Sequence, residues 1–143
     1  MKNLTKVLAL FLVALALLLC FASCKEEPLV IKDSDTFIVI KTTEEALDGK
    51  SDMKLIDYME TLRKDGELEF EVKNGMITSI NGQDNPTDFS KCWMLYTSDE
   101  DFSSSEWGTV EYKGTEYGSA ILGAEMLVIK PEQTYIWVFK SFE

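Results

Sequence analysis

The heptapeptide TYIWVFK, residues 134–140, constrains the fold more than any other stretch of this chain. Tyr135, Ile136, Trp137, Val138 and Phe139 are consecutive, bulky and suited to a strand. Successive side chains of a strand point to opposite faces, so this segment presents large apolar groups on both. A strand covered on both faces lies inside its sheet rather than at an edge. TYIWVFK is therefore expected to be a central strand.

The remaining elements follow from periodicity and turn chemistry. Residues 36–43, TFIVIKTT, are β-branched and apolar and predict a strand. Ser51 precedes DMKLIDYMETLRK, with Gly66 just beyond; Leu55, Met59 and Leu62 recur at helical spacing and Ile56 widens the stripe. Ser51 suits an N-cap and Asp52 the positive end of the helix dipole, so one amphipathic helix is predicted over about residues 52–64. Its single apolar stripe needs a surface to lie on. ELEFEV, residues 67–72, alternates acid and hydrophobe, and Asn74-Gly75 then supplies a two-residue hairpin turn leading into MITSI. With Val72 opposite Ile77, Met76 and Ile80 fall out of phase; a bulge or a second, partly covered face reconciles them. GQDNPTD reads as loop. CWMLYT, EWGTVEY, AEMLVIK and TYIWVFK read as four β-rich runs, separated by SDEDFSSS, KGTEYGSAILG and PEQ. No internal repeat is present. The expected class is α+β, a mixed sheet with one packed amphipathic helix.

The front of the chain carries a different signal. MKNLTK holds two lysines and no acid, and Val7 to Leu19 is an unbroken apolar run. That is the n-region and h-region of an export signal. The uncharged run from Val7 to Ser23 falls short of the roughly 20 apolar residues of a spanning helix, which makes an uncleaved anchor the second choice. Phe21, Ala22, Ser23 and Cys24 resemble the bacterial lipoprotein box, an apolar residue and two small ones before an obligatory Cys. The resemblance implies a diacylglyceryl group on the Cys24 sulfur, cleavage before Cys24 and acylation of the new amino terminus. Cys20 follows the bulky Leu19 and reads as h-region filler. The expected organisation is a signal peptide at 1–23, a lipidated Cys24 with spacer to residue 35, and a domain at 36–143, extracytoplasmic and lipid-anchored to the cell membrane.

A chain beginning at Cys24 has 12 basic against 25 acidic residues, a net charge of −13. Nucleic acid and anionic lipid surfaces both demand a positive patch, so neither is expected as a partner. With Cys24 lipidated, Cys92 is left alone and no internal disulfide can form. Cys92 in KCWMLY reads as a small buried hydrophobe.

The order strand, helix MKLIDYMETLRKDG, hairpin MITSINGQ, strand WMLYT and closing hairpin LVIKPEQTYIWVF resembles the small transcobalamin-like C-terminal domain of many exported bacterial proteins. The likeness covers residues 36–142. It implies a β-grasp-like domain and raises a corrinoid such as cobalamin as a ligand, although the helical half of the vertebrate cobalamin clamp has no counterpart here. No cobalamin-contacting residue carries over by motif.

Catalytic chemistry finds little footing. The chain has no His, which removes the usual general base and the commonest metal ligand. Gly118-Ser119-Ala120 lacks the second glycine of a nucleophile elbow. DSD, DNPTD and SDEDF cluster oxygens, yet none matches a calcium loop. No enzyme activity, metal or resident cofactor is expected. The binding candidates are Trp93, Tyr96, Trp107, Tyr112 and Tyr117, in or beside the loops of the C-terminal half, because aromatic platforms suit flat ligands. Core packing is the competing role, favoured for Trp93 and Trp137 and evenly matched for Trp107 and Tyr117. Two functions compete: a surface module that binds a small molecule, and a protein-interaction or structural module of the cell envelope.

Overall fold

The computed structural model of the chain describes residues 27–142; Cys20, Cys24 and the leader lie outside them. Nine strands and two helices are formed among the described residues: β1 (Val30–Ser34), β2 (Phe37–Lys41), α1 (Glu44–Leu47), α2 (Leu55–Lys64), β3 (Phe70–Lys73), β4 (Met76–Ile80), β5 (Gln83–Asp84), β6 (Lys91–Thr97), β7 (Ser103–Tyr112), β8 (Thr115–Ala120) and β9 (Thr134–Ser141). The class is α+β. Six strands form one sheet in the order β1-β2-β9-β6-β8-β7, and β3-β4-β5 form a second, smaller one. Every ladder is antiparallel, where a mixed sheet was expected. β9 lies between β2 and β6 and is antiparallel to both, so the interior position foreseen for TYIWVFK holds and its pairing is one-handed.

The two faces of β9 feed two cores. Tyr135 and Trp137 join Ile38, Ile40, Trp93 and Leu95 on one face, where α1, α2 and the small sheet supply Leu47, Leu55, Tyr58, Met59, Leu62, Phe70 and Ile80. Ile136 and the partly buried Val138 join Val39 and Tyr96 on the other. That second face is closed by the sheet itself. Phe37 on β2 and Tyr112 on β7 have ring centroids 5.8 Å apart, although the strands stand second and sixth in order. Four spacings in a flat sheet would separate them by about 19 Å. The outer half of the β7–β8 hairpin therefore leaves the plane and folds across the face, bringing Val110, Tyr112 and Tyr117 onto Val39 and Ile136. The departure occurs where β7 loops out between Ser104 and Thr109, opposite Gly118. A Cβ on Gly118 would sit 3.2 Å from the Ser104 backbone, so the bend needs a residue without one.

Local chemistry explains the departures from expectation. α2 starts at Leu55, not near residue 52, and Ser51 caps nothing. Its first amides instead donate to carbonyls of a distant segment, Leu55 N to Leu127 O at 2.9 Å and Ile56 N to Ala124 O at 3.0 Å. Those backbone acceptors do the work of a capping side chain. AEMLVIK is consequently bound to a helix end and forms only the bridge Lys54–Val128 rather than a strand. A second helix, α1, is short and capped by the Thr43 hydroxyl, which accepts from Ala46 N at 3.1 Å. β1 is built from residues assigned to the spacer: Val30 and Ile31 pair with Ile40 and Val39, so the domain reaches upstream of residue 36. Residues 115–120, read as a connection, form β8. The hairpin at Asn74-Gly75 has positive φ at both positions, 52° and 78°, and a bulge at the Glu71–Val72 step leaves Val72 opposite Ile77 and Phe70 opposite Ile80.

Candidate functional site

The five aromatic residues singled out by sequence do not form one platform. Trp93 lies buried on the α2 face. Tyr96, Tyr112 and Tyr117 come together on the opposite face, under the folded hairpin. Trp107 sits in the loop-out of β7 with 63% of its surface exposed. Tyr96 is fully buried, its hydroxyl unpaired among the described residues, while the Lys140 ammonium lies 5.3 Å from its ring centroid. Tyr96 and Tyr112 are core, and Tyr117 is partly buried against them.

A cleft opens instead on the α2 face, beside Trp93. It has a volume of about 240 Å³ and is lined by Trp93 and Leu95 of β6, Trp137 of β9, Ile77 of β4, and the small side chains Ala120 and Ala124. Met76 and Ile121 lie in its wall and remain 43% and 42% exposed. Two segments build the far wall. Ile121 N donates to Phe102 O at 2.9 Å, and Ala124 O caps α2, so residues 121–124 are hung between β7 and the helix. The turn of the β3–β4 hairpin closes in beside them: a Cβ on Gly75 would lie 3.0 Å from a Glu125 carboxylate oxygen.

The two indoles in this wall are held differently. Both N–H groups of Trp93 are held, its Nε1–H donating to Gln83 O at 2.8 Å and its backbone N–H to Asn85 Oδ1 at 3.1 Å, with the Phe139 ring centroid 5.5 Å away. Trp137 is equally buried, yet its Nε1–H has no acceptor among the described residues. Among the described residues, no ionisable side chain lines the cleft. A charged ligand would lose its hydration there with nothing in exchange, so the site suits a neutral one. It holds no acid, base or thiol for covalent chemistry.

The charged groups gather elsewhere. Lys130 donates to Asp99 at 3.0 Å and Asp101 at 2.5 Å. The Lys130 hydrogen bond holds the Asp101 carboxyl below its ordinary range, and the two carboxylates raise the ammonium. The acidic loop SDEDF is thus engaged by a lysine. Cys92 is buried, and desolvation pushes its thiol up, which keeps it protonated and unreactive. A larger opening of about 770 Å³ lies where the described chain begins, lined by Glu27, Lys41, Glu44, Glu45 and Glu132 among others. Its lysine already pairs with Glu27, and the Thr42 hydroxyl in its wall already bonds Lys130 O at 2.6 Å.

The cleft lies below the roughly 300–1,000 Å³ of pockets for drug-sized ligands, and a corrin is larger than most of those. Among the described residues, the larger opening has no aromatic ring in its lining. The chain matches no family model, no curated protein and no solved structure.

Sequence reasoning named Trp93 as a candidate, with core packing the favoured role, and did not name Trp137, the other indole of this cleft. Trp137 read as core because both neighbours are bulky. The usable signal lay in SAILGA, residues 119–124, where small residues stand opposite that tryptophan and leave the space.

Proposed function

We propose that this protein is an extracytoplasmic, lipid-anchored binding module that captures a small neutral molecule in the Trp93–Trp137 cleft. The observation that carries the reading is a cleft walled by the two indoles Trp93 and Trp137, with no ionisable side chain in its lining among the described residues. The lipoprotein box ending at Cys24 supports the anchor, and the three residues from Cys24 to Glu27 would keep the domain within about 10 Å of the bilayer. α2 laid across one face of a curled sheet supports the β-grasp-like, transcobalamin-like reading; antiparallel pairing throughout is its departure from that pattern. A second reading, a protein-interaction module of the envelope, draws on the exposed Trp107 in the β7 loop-out, since tryptophan dominates protein contact sites.

Both halves of the proposal are tested on the full chain. Cys24→Ala is expected to abolish fatty acylation measured by mass spectrometry; equal acylation and membrane retention of the variant would refute the anchor. A panel of small neutral molecules is expected to shift tryptophan emission and raise the melting temperature, as any ligand selective for the folded state must. Silence across the panel, together with a protein partner whose binding is lost in Trp107→Ala, would favour the second reading.

A further inference from the structure

The lining of the Trp93–Trp137 cleft decides which part of a ligand it holds, a step that rests on the ligand site proposed above. Among the described residues every side chain there is hydrocarbon, thioether or indole, Ser119 excepted. Ser119 stands opposite Tyr96 on the ladder, and Tyr96 belongs to the other face. Side chains paired across two strands share a face, so Ser119 meets the cleft through its backbone. The indole nitrogens are closed to an occupant as well. Trp93 donates its Nε1–H to Gln83 O at 2.8 Å, and the Trp137 Nε1 is sealed beneath the surface. In the far wall Ile121 N, Gly123 O and Ala124 O are already bonded. A polar group entering the cleft would lose its water and find no strong side-chain partner, whereas hydrocarbon gains by leaving water. We infer that the cleft holds the end of an aliphatic chain, recognised by burial and contact alone, with any polar head left outside in water.

Size bounds the length of chain held. At roughly 30 Å³ per water-sized group, about 240 Å³ accommodates about eight carbons. The surface beside the mouth is apolar too. Of the seven large hydrophobic residues left exposed among the described residues, Met76 and Ile121 stand in the cleft wall, and Met126 is tied to that wall by its N–H to Gly123 O at 3.0 Å. Exposed apolar residues scattered singly need no explanation, but several beside one opening mark a binding surface. They give a chain emerging from the cleft further hydrocarbon to lie on.

The probes are the straight-chain primary alcohols butanol, hexanol, octanol and decanol, with octyl glucoside below its micelle concentration. They are titrated, at free concentrations corrected for partitioning, into the full chain held in digitonin, a steroidal detergent with no alkyl tail to compete. A Trp107→Phe background leaves the emission of Trp93 and Trp137 as the signal. Affinity should rise about 2- to 4-fold per methylene up to octanol, the gain from burying each group in part or in full, and level off at decanol, whose last carbons outrun the cleft. Octyl glucoside should match octanol, because its head stays in water. Ala120→Leu fills the space and should abolish the rise. Ile121→Ser, at an exposed position that leaves the fold intact, should weaken octanol by about 3-fold through lost apolar contact. Dihexanoylphosphatidylcholine, a lipid still monomeric in water, separates the sources: if it displaces hexanol the cleft serves a lipid tail, and if it does not, a soluble single-chain compound. A flat alcohol series, or octyl glucoside failing to bind where octanol does, overturns the inference and leaves the cleft as a site. Emission unmoved by every probe, or a chain-length rise untouched by both cleft variants, overturns the inference and the site together.

Discussion

Two tyrosine hydroxyls, buried alike and partnered differently, give opposite expectations for the same substitution. Tyr58 on α2 is 1% exposed and donates to Lys41 O at 3.1 Å; Tyr96 on β6 is 0% exposed and its hydroxyl has no partner among the described residues. Tyr→Phe keeps the ring and its packing, so only the hydroxyl is under test. In Tyr58→Phe a hydrogen bond is lost and the Lys41 carbonyl keeps one partner fewer, which costs about 1 kcal/mol. In Tyr96→Phe the deleted group had been stripped of water without compensation, so its removal should stabilise by about 1 kcal/mol, the low end of the desolvation penalty. The Lys140 ammonium over the Tyr96 ring still meets an aromatic face in the variant. For a domain of this size about 1 kcal/mol corresponds to roughly 4 °C in melting temperature, so the variants should melt about 8 °C apart on either side of the parent. Urea unfolding with unchanged m-values would confirm that the folded state is the one affected. A Tyr96→Phe protein destabilised as much as Tyr58→Phe would refute the reasoning, because it would require a partner for the Tyr96 hydroxyl.

Gly118→Ala should destabilise by about 1–3 kcal/mol, since the new methyl meets Ser103 Cβ and the Ser104 backbone at 3.2 Å and overpacking of that kind distorts its surroundings; denaturant melts check it, and a neutral result would show that the β7 loop-out can give. Burial pushes the phenols of Tyr58 and Tyr135 up to about 12. A raised folded pKa for an acid means that the folded state holds the proton longer, so stability is complete below pH 10 and falls as pH rises from 10 to 12. Absorbance at 295 nm should show these two tyrosines ionising together with unfolding; smooth titration of every tyrosine with the fold intact would contradict it.

Where a feature depends on neighbours in the chain, sequence was enough. The Asn74-Gly75 turn, the pairing of Val72 with Ile77 and the interior place of β9 all follow from local φ requirements and the two-residue period of a strand, and of the two ways to reconcile Met76 and Ile80 with that pairing the structure uses the bulge. The helical stripe of Leu55, Met59 and Leu62 is likewise local, and those residues are buried as expected. The cap of that helix was not, because Leu127 and Ala124 supply its acceptors from some seventy residues away. The same capping contact holds AEMLVIK against the helix end instead of in a strand and sets its first residue, Ala124, in the wall of the cleft.

The candidate site divides along the same line. Sequence alone determined that aromatic rings would be plentiful, that the chain has no histidine, and that an apolar run and four residues resembling a lipoprotein box precede a strongly acidic remainder. Tertiary structure decided which rings meet. The hairpin folds across one face, makes core of Tyr96 and Tyr112 and packs the partly buried Tyr117 against them, while small residues at 120 and 124 line the space beside Trp93 and Trp137 on the other. A tryptophan's neighbours in space, and whether its N–H finds an acceptor, depend on how distant segments pack. No periodicity records that, since the residues concerned share no local geometry until the sheet has closed.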